Sequence, residues 1–162
     1  RMFMGEVVEV VAFCNTLTFK YKVEDSASTL LRFESGAHAV VDTFFNVPDS
    51  AGQDRLELYG NKGSIQAQGT IGQLPGGEMV AYLSPAGKDY DPQQDKASLD
   101  VKVRKISAKP YNTYAAEIEA LSRAILKNEP VKVNTIDDGI AVFKIIEAAY
   151  KSSKSGKVEK VK

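Results

Sequence analysis

The chain has 162 residues, enough for one domain with a full-sized core. Its 21 lysines and arginines balance 21 aspartates and glutamates, and this neutrality argues against nucleic acid or an anionic membrane as partner. A single cysteine, Cys14, and a single histidine, His38, exclude a disulfide framework and argue against a dedicated zinc or iron site. The cysteine usage points to a reducing, cytoplasmic compartment, and no apolar run reaches membrane-spanning length.

In chain order, Gly5 to Phe13 (GEVVEVVAF) is rich in valine and apolar on both faces, which predicts a strand inside the layers of the fold. Thr16 to Val23 alternates apolar and polar residues, as an edge strand or as a loop leaning one side on the core. Glu24-Asp25-Ser26 then reads as a turn. Thr29 to Phe33 and His38 to Phe45 flank Glu34-Ser35-Gly36-Ala37, a hairpin with glycine where positive φ is needed. Val40, Val41, Phe44 and Phe45 occupy both faces, so these strands are expected to be central. Arg55 to Tyr59 and Ser64 to Gln68 flank Gly60-Asn61-Lys62-Gly63, a second hairpin. Here Leu56, Leu58, Ile65 and Ala67 share one face, and Arg55, Glu57, Tyr59, Ser64 and Gln66 the other, the alternation of a sheet with one core face and one wet face. Leu56, Leu58 and Ile65 are expected to be buried under helices.

Glycines and prolines punctuate 69–100, with a short strand expected over Met79 to Leu83 and another over Ser98 to Ile106. After Pro110, Asn112 or Thr113 can cap a helix whose apolar face carries Tyr114, Ile118, Leu121 and Ile125. The run from Asp137 to Lys157 predicts a long helix. Asp137, or Thr135 with Asp138, can cap it, and Gly156 stops it. Lys144, Glu147, Lys151 and Lys154 form one narrow wet stripe, so this helix is expected to be covered on more than one side. Val158 to Val161 reads as a last short strand. Strands first and helices last is an α+β order: a large, mostly antiparallel mixed sheet with helices on one face and the other face open.

The search for chemistry excludes more than it finds. No G-x-G-x-x-G or G-x-x-x-x-G-K-S/T occurs, so no cofactor-binding residue is assigned. Cys14 and His38 could pair as nucleophile and base, but Cys14 ends a valine-rich strand, where an inert buried thiol is the commoner case. The pairs Glu24-Asp25 and Asp137-Asp138 are explained by turns and caps. Tyr111 and Asn112, at a helix start, offer hydroxyl, amide and ring face to a polyol, although aromatics at a helix entry more often simply pack.

Several segments in order carry a resemblance: G-E-V-V-E-V-V-A from Gly5, V-E-D from Val23, L-L-R-F-E-S-G-A from Leu30, L-Y-G-N-K-G-S-I from Leu58, Y-A-A-E from Tyr114, D-D-G-I-A from Asp137 and A-Y-K-S-S-K-S-G-K from Ala149. Together they resemble the C-terminal domain of the glucose–fructose oxidoreductase, inositol dehydrogenase and MocA (Gfo/Idh/MocA) family, everywhere except 69–100. The resemblance implies a dihydrodipicolinate-reductase-like C-terminal domain spanning 1–162, the substrate and oligomerisation half of an oxidoreductase acting on a sugar, inositol or related polyol with NAD or NADP. The Rossmann half and the Glu-Lys-Pro motif are absent from the sequence, and Arg1 to Phe3 look like the remnant of a preceding helix. No catalytic residue is therefore carried over, and this chain alone is expected to fold and to transfer no hydride. Tyr111 and Asn112 are the expected substrate-side residues. The wet face of Arg55, Glu57, Tyr59, Ser64 and Gln66 is the expected homo-oligomer contact. The competing class is a non-enzymatic sheet domain that self-associates or binds a partner.

Overall fold

The computed structural model describes residues 1–73, 75–85, 101–107, 109–132 and 134–162. The described residues form two compact units, Arg1–Ala51 with Val131–Lys162, and Gly52–Pro130. Each unit holds a four-stranded antiparallel sheet and one helix, so the α+β class stands. The strands expected in one large mixed sheet are divided between two ladders, and every described pairing is antiparallel.

In the first unit β1 (Val7–Asn15), β2 (Ser26–Phe33) and β3 (His38–Phe44) form a meander. The β2–β3 hairpin closes as read, with Gly36 at φ 86° and the Phe33 N–H bonded to the Ala37 carbonyl. β1 pairs Val7 with Phe33 and Glu9 with Arg32, so Val8 is an extra residue in a bulge. The bulge resets the alternation and turns both Val7 and Val10 to the core. Val10, Ala12, Leu31 and Phe33 pack there against Ala148 and Ala149 of the long helix. Val10 is fully buried, a contribution of roughly 1.5–3 kcal/mol.

That helix, Ile136–Ser155, is capped by Thr135 rather than Asp137. The Thr135 hydroxyl accepts the Asp138 N–H and the Asp138 carboxylate accepts the Thr135 N–H, a closed capping box. Gly156 ends it in the left-handed region, as expected. The expectation of cover on more than one side is corrected: only Ala148, Ala149 and Ser152 are buried, while Phe143 stays 74% exposed. β3 is corrected too, from a central strand to an edge, because the order is β3-β2-β1 and then a short strand at Glu159–Lys160. Its residues Val40 and Val41 are both exposed.

The short strand meets β1 only at Glu9 and Val10, with one further bond from the Val161 N–H to the Val8 carbonyl. Past that point no strand among the described residues lies beside that edge of β1. Two helix hydroxyls take its place. Ser152 Oγ accepts the Ala12 N–H at 3.1 Å and Ser153 Oγ accepts the Cys14 N–H at 2.9 Å. The helix therefore satisfies the strand as well as covering it.

In the second unit β4 (Arg55–Gly60), β5 (Gly63–Gln68), β6 (Glu78–Leu83) and β7 (Lys102–Ser107) lie in sequence order. Residues 98–100 of the expected last strand lie outside the described residues. Gly63 makes the β4–β5 turn possible: at φ 136° a Cβ would sit 2.0 Å from the Tyr82 carbonyl oxygen. The predicted alternation holds, with Leu56, Ala67, Met79 and Ile106 in one cross-strand row and Glu57, Gln66, Val80 and Lys105 in the next. The expected full burial of Leu56, Leu58 and Ile65 is corrected to half-burial. The helix of this unit, Thr113–Lys127, has no buried residue, so its stripe of Tyr114, Ile118, Leu121 and Ile125 is exposed.

Candidate functional site

Tyr111 and Asn112 sit where the chain enters the Thr113–Lys127 helix. Asn112 is its cap: Oδ1 accepts the Ala115 N–H at 3.0 Å, which satisfies an orphan donor of the first turn. The Tyr111 N–H is bonded to the Pro75 carbonyl at 3.0 Å, and the ring is 59% exposed. The backbone on either side is therefore fixed while the phenol projects to solvent. The pair offers a ring face, a hydroxyl and the amide NH2 of Asn112, donors and acceptors that suit a polyol. The cap accounts for the amide oxygen without any ligand.

A groove of about 730 Å³ lies in the first unit, between the long helix and the outer half of its sheet. Leu31, Val41, Ile145 and Ala149 make its apolar walls, and Tyr150 and Glu24 place a polar pair on its rim. The Tyr150 hydroxyl donates to the Glu24 carboxylate at 2.6 Å. That hydrogen bond, with burial and the carboxylate charge behind it, pushes the phenol up to about 12.

Beside the groove, Asp25 organises the connection between β1 and β2. Its carboxylate accepts the N–H groups of Leu17, Thr18 and Phe19 at 2.8, 2.8 and 2.9 Å, and the residue is only 1% exposed. Burial raises the carboxyl, but the bonds from Leu17, Phe19 and Thr18 outweigh it and hold the group below its ordinary value. Of the two forms open for Thr16 to Val23, the structure takes the loop, with Phe19 stacked on Tyr21 at 5.4 Å. Sequence reasoning saw only a turn here. The available signal was an aspartate placed directly before a strand and after amides that no strand partner could satisfy.

The other candidates separate. Cys14 shares a row with Ala27 and Thr43 on the helix side of the first sheet, whereas His38 pairs with Arg32 on the opposite side, so no Cys–His couple forms. Burial first, and the Glu24 charge second, push the Cys14 thiol up, which makes it a poor nucleophile. Among the described residues no group of His, Cys, Asp and Glu is placed to hold a metal ion. Neither helix start fits a dinucleotide pyrophosphate: one is closed by Asn112, the other by Thr135 and Asp138, whose carboxylate also takes the Arg1 guanidinium. No helix among the described residues is long and apolar enough to cross a membrane.

Comparison with known proteins gives this geometry a setting. Residues 1–66 match the model of the GFO/IDH/MocA C-terminal domain. The chain is 26% identical over 156 residues to D-xylose 1-dehydrogenase (NADP(+)) 2 of Haloferax volcanii, covering 96% of this chain and 42% of that protein. The fold is similar to that of the aldose-aldose oxidoreductase from Caulobacter crescentus, solved with glycerol, with a TM-score of 0.72, 25% identity and coverage of 96% of this chain and 42% of that one. Levoglucosan dehydrogenase in complex with NADH shares the fold at a TM-score of 0.73 with 18% identity, covering 97% of this chain and 45% of that one. The chain thus spans less than half the length of these relatives. The chain is similar to the GFO/IDH/MocA C-terminal domain over its first 66 residues and shares the fold of the aldose-aldose oxidoreductase across 96% of its length.

Proposed function

We propose that this chain is the substrate and assembly domain of an NAD(P)-dependent oxidoreductase acting on a sugar or related polyol, and that a Rossmann half outside the present sequence holds the cofactor. The observation that supports it most is the continuous alignment of 96% of the chain with 42% of a D-xylose dehydrogenase. Among the described residues both helix starts are occupied by their own caps, and the contribution proposed for this chain is to bind and orient substrate. Orientation matters because holding reactants in a near-attack geometry supplies on the order of 7–11 kcal/mol of a barrier. Tyr111 and Asn112 are the proposed polyol contacts. Their fixed backbone is what a positioning role requires, and the exposed Tyr111 ring has room for a sugar face.

The test uses the protein that contains this chain. D-xylose, glucose and inositol are supplied with NAD or NADP, and nicotinamide absorbance is followed. Turnover with at least one of them is expected, and Tyr111→Ala should raise KM more than it lowers kcat. No turnover with any sugar or polyol, or an unchanged KM in Tyr111→Ala, refutes the corresponding half of the proposal. The isolated chain should reduce no nicotinamide.

Assembly is proposed through the polar face of the second hairpin, made by Arg55, Glu57, Tyr59, Ser64 and Gln66. Tyr59 is 68% exposed there and donates to Glu57 at 3.0 Å. A two-fold contact of this kind is self-complementary, and Tyr59→Glu should weaken it. An unchanged mass by light scattering would remove this face from the proposal.

A further inference from the structure

The connection between β5 and β6 leaves at Gly69 and returns at Gly77, and its two ends pass unusually close. The Gly69 N–H is bonded to the Asp54 carbonyl at 2.8 Å, which holds the outgoing end beside the start of β4. On the returning end, a Cβ at Gly77 would stand 2.4 Å from the Gly69 carbonyl carbon and oxygen and 2.5 Å from the Gln68 carbonyl oxygen. Only a residue without a Cβ lets the two ends pass at that distance. Glu78 pairs with Ser107, so the connection lies just beyond the end of the β6–β7 ladder, where the chain enters the Thr113–Lys127 helix. There the Pro75 carbonyl accepts the Tyr111 N–H at 3.0 Å. The Pro110 ring lies 3.6 Å from the point that a Cβ on Gly76 would occupy.

We propose that Gly77 is a positioning residue for substrate: by letting the connection close on Gly69 it sets the Pro75 carbonyl, and through that carbonyl the aim of the Tyr111 ring. This rests on the reading of Tyr111 as a polyol contact. The ring is exposed, so its direction is set by the backbone that carries it. On the helix side that backbone is held by the Asn112 cap, and at Tyr111 itself by Pro75. Adding a Cβ at Gly77 forces the ends apart by about 1 Å, from 2.4 Å to the 3.4 Å at which ordinary contact begins. Pro75 is two residues away, so the shift is passed to the carbonyl, and a hydrogen bond of 3.0 Å lengthened that far is lost. A misplacement of about 1 Å in a substrate-positioning group can cost about 100-fold in rate. A glycine that served the fold alone would act otherwise: its replacement would reduce the amount of active protein, and so kcat, and leave KM where it was.

The test uses the protein that contains this chain, with whichever of D-xylose, glucose and inositol it turns over. Gly77→Ala should raise the sugar KM by about tenfold or more, within the range that such a misplacement reaches, and leave the nicotinamide KM unchanged. Added to Tyr111→Ala it should raise the sugar KM no further, since both act through one ring. Hydrogen exchange at the Tyr111 amide, which needs no substrate, should accelerate in Gly77→Ala. Gly60→Ala, with open space at its Cβ, should leave both readouts at wild-type values. If Gly77→Ala does not fold, Pro110→Ala decides, because it removes the ring from Gly76 without adding a clash: a higher sugar KM upholds the proposal and an unchanged one overturns it. An unchanged Tyr111 amide in Gly77→Ala overturns the link through Pro75, and an equal rise of KM in Gly60→Ala overturns its specificity. A sugar KM raised by Tyr111→Ala but not by Gly77→Ala overturns this inference alone. No turnover, or a KM unchanged in Tyr111→Ala, removes the polyol contact and the positioning role with it.

Discussion

Replacing Ser152 by alanine should cost more stability than its size suggests, because its hydroxyl stands in for a missing strand. Ser152 is 1% exposed and Ala12 3%. Ser152 Oγ accepts the Ala12 N–H and donates to the Lys157 carbonyl at 2.6 Å. With the hydroxyl gone, the Lys157 carbonyl can turn to water, since that residue is exposed. The Ala12 amide cannot, and a buried donor left unmet costs about 1–3 kcal/mol. Ser153→Ala should cost about 0.5–1.5 kcal/mol, an ordinary net hydrogen bond, because its bond to the Cys14 amide is only partly buried. Against a typical domain stability of about 5–15 kcal/mol the first loss is easily measured by urea unfolding. Ser152→Cys separates bond from volume: the thiol fills the space but accepts weakly, so it should lose nearly as much as alanine. Hydrogen exchange at the Ala12 amide gives the local readout and should accelerate in Ser152→Ala. A shift below about 0.5 kcal/mol, the range of ordinary surface changes, with Ala12 still protected, would show that this amide finds another acceptor and that the strand-replacement argument is wrong.

The remaining predictions follow from single contacts. Asp25→Asn should lower the melting temperature at neutral pH and free the 16–24 loop, seen as faster amide exchange at Leu17 to Phe19. Because the folded carboxyl is held below its unfolded value, the stabilisation is present above about pH 4 and is lost as pH falls through the folded value, so the gap between wild type and variant should close in acid. In an ultraviolet pH titration one tyrosine should ionise near 12, and Tyr150→Phe should remove that step. The Tyr150–Glu24 bond stabilises the fold below the ordinary tyrosine value and is lost as pH rises through the raised one, so this contribution should survive to mildly alkaline pH. Gly63→Ala should destabilise by more than about 1 kcal/mol through its positive φ and its clash with the Tyr82 carbonyl, whereas Gly60→Ala, with open space at its Cβ, should be far milder.

What the sequence made legible was local chemistry. Gly36 and Gly63 marked turns because only glycine adopts the required φ, and Asn112 and Gly156 marked helix ends because their groups satisfy orphan donors and acceptors. The two-residue alternation of the second hairpin assigned its faces correctly. Tyr111 and Asn112 were placed at a helix start, and the structure puts them there. What stayed hidden was set by partners distant in sequence. Nothing local told Thr135 from Asp137 as the cap, since both precede the same helix and the choice turned on where Asp138 could reach back. The bulge at Val8 depends on how β1 registers against β2, which no pattern within β1 encodes. Asp25 looked like a turn residue because its partners, three backbone amides, leave no trace in side-chain composition.

The same limit explains why apolar pattern and actual cover part company here. An alternating or two-sided apolar strand states that a face needs covering, and it carries no information about what supplies the cover. On the first sheet the helix side illustrates the rule fulfilled: Val10, Ala12 and Ala148 meet, and Ser152 and Ser153 complete the edge of β1. The opposite side shows the requirement without its fulfilment, as Leu30 and Val40 are as apolar as Val10 yet stand in water. A strand apolar on both faces therefore states a demand on each face, and within the described residues of this unit only one of the two is met. In β1 to β3 the helix meets it.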